Sequence, residues 1–538
     1  MLVFGDHREI ADPRERLRHV TEMIEEVVRM PGGIDRHSKL VKVLVEAGRL
    51  QQGLEDVGGP REELNELVYQ LALCVIHSWD SGFEHIGVLP SVRDLALPEC
   101  IELKLPEGFA FYAVYPEAYV ASARRLQLNG KPRVIGIRSI GTTLGGVVAA
   151  TLGAPPPINV RPFGDPFARE VELPAEIVDD DAHYVIVDEG PGLSGSSFGA
   201  VADWLQDRGV PLGRIAFLPS HGGDLGPNAS DAHRARWQAA QRAPAEFNAG
   251  FLSTRFGPLE QFSNGDPWER LKFYGYIGST KVLLKFAGLG AIGERKLQMA
   301  HALYAAGLSP EPLALVHGFL LERWRDDAFR LAAEDKPLDE IGHYIGTRAR
   351  LFPAAEGSGA TIADLLTMCR RNLYLALGGD AACAVDRWNA ALLSTEVRRS
   401  RTDNKMGREE WLRSPDGRLL KTDALDHHCG HDLIGCQDMA WDVAGAIVEF
   451  MLDHDDAGRL VDATEAAAGR RLSPVLLEFC RVAYCCFRLG QAKLAGEAAD
   501  DPGECERLGG RAIRYETAVM PLLQHNYCCF TPQESLVD

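Results

Sequence analysis

The stretch from Tyr184 to Phe198 constrains the fold of this chain more than any other. It begins with the apolar run Tyr-Val-Ile-Val, continues with Asp188 and Glu189, and passes through glycines and serines into a helical pattern at 199–205. A strand that ends in a small-residue turn before a helix directs backbone N–H groups and the helix dipole at an anion. The stretch therefore predicts a strand–turn–helix unit with an anion site, and its two carboxylates suit a ligand with hydroxyls near a phosphate.

Short apolar runs alternate with helical patterns between residues 100 and 225. We predict strands at 110–115, 134–138, 183–187 and 214–218, separated by helical stretches. This alternation is typical of a parallel sheet with helices on both faces, which binds ligands at the carboxyl ends of its strands. We therefore expect a doubly wound parallel sheet, preceded by a helical cap over residues 1–98.

The acidic pair and the loop after it resemble the signature loop of the type I phosphoribosyltransferases. The resemblance implies that Asp188 and Glu189 hold the ribose hydroxyls of phosphoribosyl diphosphate (PRPP). It also implies a cradle for the 5-phosphate, formed by Ser194, Gly195, Ser196 and Ser197. The insert Gly190-Pro191-Gly192 departs from the usual family pattern. A glycine-rich turn without a ligand is the alternative interpretation.

A second predicted strand ends about fifty residues earlier in another small-residue loop. This loop carries Arg138, Ser139, Thr142 and Thr143. Backbone N–H groups and a guanidinium are suited to phosphate oxygens. In the family that the chain resembles, the loop at this place binds the departing pyrophosphate, with Arg161 a candidate in the segment that follows. The alternative for Arg138 is a salt bridge.

The second half of the chain places a lysine in a strand pattern and a glutamate early in the next helix. Lys285 lies in the apolar run Thr280–Phe286, and Glu294 follows a glycine-rich turn. Such a lysine and glutamate form the pair that a protein-kinase-like small lobe uses to hold nucleotide phosphates. A lysine on the surface of an amphipathic strand is the alternative.

Further along, the order of the acidic residues resembles the aminoglycoside phosphotransferase and choline-kinase-like branch of the kinase superfold. The resemblance implies that Asp403 is the base for an acceptor hydroxyl and that Asp423 binds magnesium, with Asp426 as the alternative ligand. Asp442, in the segment Asp-Met-Ala-Trp-Asp, would tie down the catalytic loop. Arg401 replaces the usual histidine, and Arg408 stands where the usual asparagine would be, so Glu409 is a candidate second metal ligand.

The composition is ordinary for a water-soluble globular protein of several domains. The chain has 538 residues, of which 46% are hydrophobic and 25% charged, and this length predicts two to four domains. The net charge of −19 argues against a nucleic-acid-binding protein, which usually needs a basic face. Since the sequence shows neither a signal-peptide pattern nor a membrane span, we expect a cytoplasmic location.

Together these patterns predict an α/β multidomain protein. We expect a helical N-terminal segment (1–98), a phosphoribosyltransferase-like domain with a connector (99–262), and an α+β, bilobal kinase-like domain (263–538). The predicted function is bifunctional: phosphoribosyl transfer from PRPP and phosphorylation of a small-molecule hydroxyl by ATP with Mg²⁺. The alternatives are a regulatory nucleotide-binding protein and nucleotide cleavage by the first domain. We expect small-molecule substrates, no nucleic acid or membrane partner, and a chain that could form a homodimer.

Overall fold

A computed structural model describes residues 1–2, 8–59, 62–91, 95–165, 167–192, 194–226, 228–262, 270–355, 357–429, 434–499 and 501–524. The N-terminal segment consists mainly of helices, as predicted. Its elements are β1 (Arg8–Ala11), α1 (Pro13–Arg29), α2 (Ile34–Asp56), α3 (Glu62–Asp80) and β2 (Ile101–Lys104). Helix α1 begins at the N-cap Asp12, whose side chain accepts the N–H of Arg14 at 2.8 Å, a common way to satisfy a free helix N-terminus.

A parallel sheet with helices forms the next part of the chain. Its elements are α4 (Glu107–Phe111), α5 (Pro116–Ala123), β3 (Lys131–Ile137), α6 (Ile140–Leu152), β4 (Ile158–Val160), β5 (Phe163–Asp165), β6 (Ala168–Glu170), β7 (Ala182–Val187), α7 (Ser196–Gln206), β8 (Ile215–Leu218), α8 (Asp231–Ala239), β9 (Gln241–Arg242) and α9 (Gly250–Phe256). The sheet order is β4-β3-β7-β8-β9, with every neighbouring pair parallel. Strand β7 is central and completely buried, which explains its continuous apolar sequence.

The predicted strand at 110–115 is wrong. Helix α4 occupies residues up to Phe111, and Ala113 has a φ of 50° in the turn that follows. A short apolar run cannot distinguish a buried strand from a buried helical turn. The other three predicted strands of this region are confirmed as β3, β7 and β8.

The second half begins with a small lobe built on an antiparallel sheet. Its elements are β10 (Glu260–Phe262), β11 (Lys272–Ile277), β12 (Thr280–Phe286), α10 (Ala291–Ala305), β13 (Pro312–Val316) and β14 (Phe319–Arg323). The sheet order is β10-β11-β12-β14-β13. Strand β12 is central and pairs Lys285 with Leu320 of β14. The expected boundary at residue 263 lies outside the described residues.

A mainly helical lobe follows. Its elements are β15 (Phe329–Arg330), α11 (Leu338–Leu351), α12 (Ile362–Leu377), α13 (Gly379–Cys383), α14 (Asn389–Leu393), β16 (Arg399–Ser400), β17 (Trp411–Arg413), β18 (Leu419–Lys421), β19 (Gln437–Asp438), α15 (Ala440–Glu449), α16 (His454–Ala468), α17 (Pro474–Ala498) and α18 (Pro502–Gln524). This half therefore consists of a small antiparallel-sheet lobe and a mainly helical lobe that also carries the antiparallel hairpin β17–β18. The two-lobed α+β arrangement agrees with the one expected.

The hydrophobic cores do not follow the expected divisions of the chain. One core contains apolar residues of α1–α3, of one face of the parallel sheet, and of strands β11, β12 and β14. The other face of the parallel sheet has its own core, and the helical lobe has another. The small lobe therefore packs both on the first part of the chain and on the helical lobe. Among the described helices, none is long and apolar enough to cross a membrane.

Candidate active site

Lys285 brings the two lobes of the second half together. Its side chain is 7% exposed, and its Nζ contacts Asp423 and lies 3.1 Å from Asp426 Oδ2. Burial lowers the pKa of Lys285, but the two carboxylates outweigh burial and raise it. Lys285 in turn holds the pKa of both aspartates below its usual range, although burial raises it. The predicted nucleotide-binding lysine and the two predicted metal ligands thus form one charged cluster.

The predicted ion pair between Lys285 and Glu294 is not present. Glu294 accepts a hydrogen bond from Lys42 Nζ at 2.6 Å, and its side chain is 45% exposed. Lys296, two residues further along α10, contacts Asp426 instead. An α-helix has about 3.6 residues per turn, so residues two positions apart lie on nearly opposite faces. Because Lys296 faces the cluster, Glu294 faces away from it. The structure therefore corrects the role of Glu294, which ties α10 to α2.

The loop that contains Asp403 is held by the first turn of α15. Asp442 accepts the backbone N–H groups of Asp403 and Asn404, both at 2.8 Å. Burial and the nearby Asp403 raise the pKa of Asp442 to about 6, while these two N–H groups lower it. The predicted structural role of Asp442 is thus confirmed.

The side chain of Asp403 is fully buried among donors and cations. The Tyr344 hydroxyl donates to Asp403 Oδ2, and Lys421 Nζ lies 3.3 Å and Arg348 Nη1 3.8 Å from the same oxygen. Burial raises the pKa of Asp403, but Lys421, His427 and Arg348 outweigh burial and hold it well below its usual range. Asp403 is therefore ionised at neutral pH.

His427 connects Asp403 with Asp423. Its Nδ1 lies 3.3 Å from Asp403 Oδ1, and its Nε2 lies 3.6 Å from Asp423 Oδ2. Its side chain is 15% exposed, whereas that of Asp403 is 0% exposed. Burial lowers the pKa of His427, but its bonds to the two carboxylates raise it above its usual value. The imidazole therefore links the two carboxylates and is more exposed than Asp403.

Asp423 and Asp426 are a donor set that fits magnesium. Carboxylate oxygens are hard ligands, and Mg²⁺ usually takes one or two of them together with waters and substrate phosphates. Glu409, the proposed second ligand, is exposed. Its neighbour Glu410 is buried and pairs with Lys405 at 2.7 Å. Among the described residues, the cluster thus offers Asp423 and Asp426 as carboxylates that could hold Mg²⁺, and Glu409 is not part of it.

The sequence reading missed three lysines of this cluster. Lys296 and Lys421 are buried, and Lys405 lies 3.7 Å from Asp423 Oδ2. A signal for Lys421 was available: it ends the apolar run Leu-Leu-Lys, two residues before Asp423. A lysine within a buried strand needs a carboxylate partner, and Asp403 supplies one.

The acidic pair of the first half lies at the carboxyl end of the central strand β7. Asp188 Oδ1 accepts the N–H of Glu189 at 2.8 Å, and Glu189 Oε2 accepts the N–H of Gly108 at 2.9 Å. Burial raises the pKa of Asp188 to about 7, although the Glu189 N–H and Arg161 lower it. Strand β3 is parallel to β7 and adjacent to it, so the loop that begins with Arg138 lies at the same edge of the sheet.

Arg138 is held by two acidic residues of the N-terminal helix α2. Its Nη1 lies 3.4 Å from Glu55 Oε2 and 3.3 Å from Asp56 Oδ1. Arg161 also pairs with Asp56, at 2.5 Å. Its Nη1 donates a hydrogen bond to Ser139 Oγ at 3.4 Å. Ion pairs to α2 therefore hold both arginines that were predicted to contact pyrophosphate.

Thr142 and Thr143 do not belong to the loop. Both lie within α6 and are buried, with 0% and 2% of their surface exposed. A Cβ added at Gly48 of α2 would lie 1.9 Å from Thr143 Oγ1, which shows how closely the two helices pack. The structure corrects the prediction that these two side chains contact pyrophosphate, because the helix begins earlier than expected and buries them.

The predicted phosphate cradle forms the N-terminus of α7. Gly195 is the N-cap residue, with a φ of 64°, and Ser196 and Ser197 begin the helix. The N–H of Ser196 donates to Ser194 Oγ at 3.3 Å. The strand–turn–helix unit is thus confirmed, apart from Leu193, which lies outside the described residues. Phosphate binding at this turn stays a prediction.

Comparison with protein-family models and with curated proteins found no match. Among solved structures, the chain is similar to a choline kinase from Streptococcus pneumoniae, with 16% identity and a TM-score of 0.38 over 51% of this chain and 96% of that one. A choline/ethanolamine kinase family protein from Mesorhizobium loti has 18% identity and a TM-score of 0.33, over 50% and 91% of the two chains. An aminoglycoside phosphotransferase, solved with AMP-PNP and hygromycin B, has 16% identity and a TM-score of 0.32, over 50% and 96%.

Proposed function

We propose that the second half of the chain transfers the γ-phosphoryl group of ATP to a hydroxyl of a small molecule. One observation carries this proposal: Lys285 of the small lobe, Asp423 after the hairpin β17–β18 and the Asp403 loop converge on a single cluster. These are the groups that phosphoryl transfer needs, namely a cation for phosphates, carboxylates for metal and an acceptor for the hydroxyl proton.

Lys285, Asp423 and Asp426 would bind different parts of Mg-ATP. Lys285 would release Asp423 and contact the nucleotide phosphates, while Asp423 and Asp426 would hold Mg²⁺. Mg²⁺ held by these two carboxylates would neutralise negative charge on the phosphoryl group during its transfer. Because Lys285 lowers the pKa of Asp423 and Asp426, both carboxylates would be ionised when Mg²⁺ binds.

Asp403 would orient the acceptor hydroxyl and receive its proton. Asp442 fixes the loop by accepting the backbone N–H groups of Asp403 and Asn404. Lys421 and Arg348 keep the Asp403 carboxylate ionised. His427 lies 3.3 Å from Asp403 Oδ1 and would have to release this oxygen for an acceptor hydroxyl to reach it. A buried base held by a rigid loop limits the reaction to acceptors that fit beside Asp423.

Transfer of labelled phosphate tests the proposal. The protein is incubated with Mg²⁺, γ-labelled ATP and a panel of amino alcohols, amino sugars and ribosides. We expect transfer to at least one class, and we expect Asp403→Asn to slow it by at least about 100-fold, the usual effect of losing a general base. Asp416→Asn, in the exposed turn of the same hairpin, is the control and should leave the rate unchanged. Transfer by Asp403→Asn at the wild-type rate would rule out the assigned base.

A second candidate function, phosphoribosyl transfer from PRPP, is favoured by the position of Asp188, Glu189 and Arg138 at one edge of the parallel sheet. Calorimetric titration with PRPP and Mg²⁺ tests it. The wild type should bind saturably, and the double variant Asp188→Asn/Glu189→Gln should lose PRPP binding while keeping that of ATP. If the wild type fails to bind PRPP, the candidate is excluded. Saturable binding without turnover would favour a regulatory site, and release of a free base from a nucleotide would favour cleavage.

A further inference from the structure

Two histidines and a glutamate meet in the interior where three distant parts of the chain come together. His37 lies on α2, Glu117 on α5, and His317 in the turn between β13 and β14. The Nε2 atoms of His37 and His317 lie 2.6 Å and 3.0 Å from Glu117 Oε1. All three side chains are buried, with exposures of 0%, 3% and 1%.

We propose that His37, Glu117 and His317 bind a divalent transition-metal ion of the zinc type. Two imidazoles and one carboxylate are a ligand set that such ions accept, leaving a further position open. Among the described residues, this is the one group of three or more His, Cys, Asp or Glu side chains whose ligand atoms lie within 4.8 Å of one another. The site lies apart from the Asp423 cluster and is independent of the function proposed for it.

Buried polar atoms without partners support a ligand at this place. Glu117 Oε2 and His317 Nδ1 are both buried and have no hydrogen-bond partner. Buried carboxylate and imidazole atoms are normally paired, so the three side chains alone do not satisfy their own polar groups. A metal ion would give Glu117 a positive partner inside the protein.

The surroundings of His37 fit a metal ligand. Its second ring nitrogen, Nδ1, lies 2.9 Å from Ser78 Oγ. Metal-binding histidines almost always donate a hydrogen bond from their other nitrogen, which fixes the ring. With a metal ion on Nε2, the proton of His37 lies on Nδ1 and Ser78 Oγ accepts it.

The spacing of the ligand atoms requires only a small adjustment. Zinc binds such atoms at about 2.0–2.1 Å, which separates two tetrahedral ligands by about 3.3 Å. The observed separations of 2.6 Å and 3.0 Å must therefore widen by about 0.7 Å and about 0.3 Å, respectively. Glu117 also lines a cavity of about 550 Å³, together with Trp79, Tyr115 and Phe251, so the site adjoins open space on the side of its carboxylate.

Titration with Co²⁺, a visible-absorbing substitute for Zn²⁺, tests the site. The full-length protein, first stripped with a chelator, should bind one ion with the absorption of a four- or five-coordinate complex. The affinity for Co²⁺ should fall by at least about 100-fold in each of His37→Gln, His317→Gln and Glu117→Gln. In Ser78→Ala it should fall by about tenfold. His301→Gln, which changes an exposed histidine on α10, is the matched control. Equal Co²⁺ binding by the wild type and all three ligand variants would overturn the proposal.

X-ray absorption on wild-type protein with one equivalent of Zn²⁺ keeps the proposal testable if a ligand variant fails to fold. We expect a shell of nitrogen and oxygen only, with two imidazoles. Sulfur in that shell would place the ion at cysteines and would overturn the proposal, as would failure of the wild type to retain any ion after desalting.

Discussion

Asp188 and Asp423 are both aspartates at strand ends, yet their surroundings move their pKa values in opposite directions. Asp423 contacts Lys285 and lies near Lys405, so its charge is stabilised. Asp188 has one N–H donor and the more distant Arg161, and burial raises its pKa to about 7. Asp188 in the first half is therefore only partly ionised at pH 7, whereas Asp423 in the second half is fully ionised.

Asp188→Asn should stabilise the protein in a pH-dependent way. The folded pKa of about 7 exceeds the ordinary 3.8, so the folded state keeps a proton that the unfolded state loses between these values. Stability should consequently fall as pH rises from about 4 to 7. The full shift corresponds to about 4 kcal/mol at most, and Asp188→Asn should recover part of it.

Denaturant unfolding at pH 5 and pH 8 measures this effect. The gain from Asp188→Asn should be larger at pH 8. An equal gain at both pH values, or a loss confined to pH 8, would contradict the raised pKa.

At the level of elements, close helix packing shapes the helical lobe. Helices α11 and α16 meet through Gly342 and Gly346, where a Cβ would lie 2.6 Å from Ala463 Cβ and 2.3 Å from Thr464 O. Two glycines one turn apart allow the backbones to approach each other directly. Because α11 also carries Tyr344 and Arg348, this packing fixes the two side chains that surround Asp403.

Gly346→Ala should destabilise the helical lobe by about 1–3 kcal/mol, the usual range for overpacking, because the nearest atom is backbone and cannot move aside. Gly458→Ala on α16 is the matched control, since nothing lies within 4 Å of its added Cβ. That change should stabilise the helix by up to about 1 kcal/mol. The midpoint of thermal unfolding, measured for both variants, tests this prediction. Equal midpoints for Gly346→Ala and Gly458→Ala would show that the close contact at Gly346 does not matter.

Local patterns predicted the elements better than the contacts between them. The apolar run 183–187 is a buried strand whatever surrounds it, and Asp442 lies four residues after Asp438 in a recognisable helix start. In contrast, the partners of Arg138 come from α2, about eighty residues away in sequence. Nothing near Glu294 indicates that Lys42 is its partner. Side-chain pairing across the chain depends on tertiary packing, which periodicity does not encode.

At the level of the whole molecule, the N-terminal helices, the parallel sheet and the small lobe share one hydrophobic core. Leu44 of α2 and Leu284 of β12 are both 0% exposed and belong to it, whereas Leu477 of α17 belongs to the core of the helical lobe. Backbone contacts join the same parts, since the N–H of Leu289 donates to Phe109 O at 2.8 Å. The small lobe is therefore positioned from two sides.

Leu44→Ala should loosen the small lobe as well as α2. The substitution should cost about 2–5 kcal/mol, the range for a deleted core side chain, and should speed amide exchange in β12. Leu477→Ala is the control and should speed exchange in α17 first. Hydrogen–deuterium exchange by mass spectrometry distinguishes the two variants. If Leu44→Ala leaves exchange in β12 unchanged, the shared core does not couple these parts.

Binding of Mg²⁺ and ATP to the intact protein tests the central claim most directly. Isothermal titration calorimetry should show saturable, Mg²⁺-dependent binding of ATP to the wild type. Lys285→Met should weaken it at least tenfold, and Asp423→Asn should remove its dependence on Mg²⁺, whereas Lys336→Met, which alters a surface ion pair with Asp456, should bind as the wild type does. ATP binding that is unaffected by Lys285→Met and Asp423→Asn, or absent from the wild type, would contradict the kinase assignment.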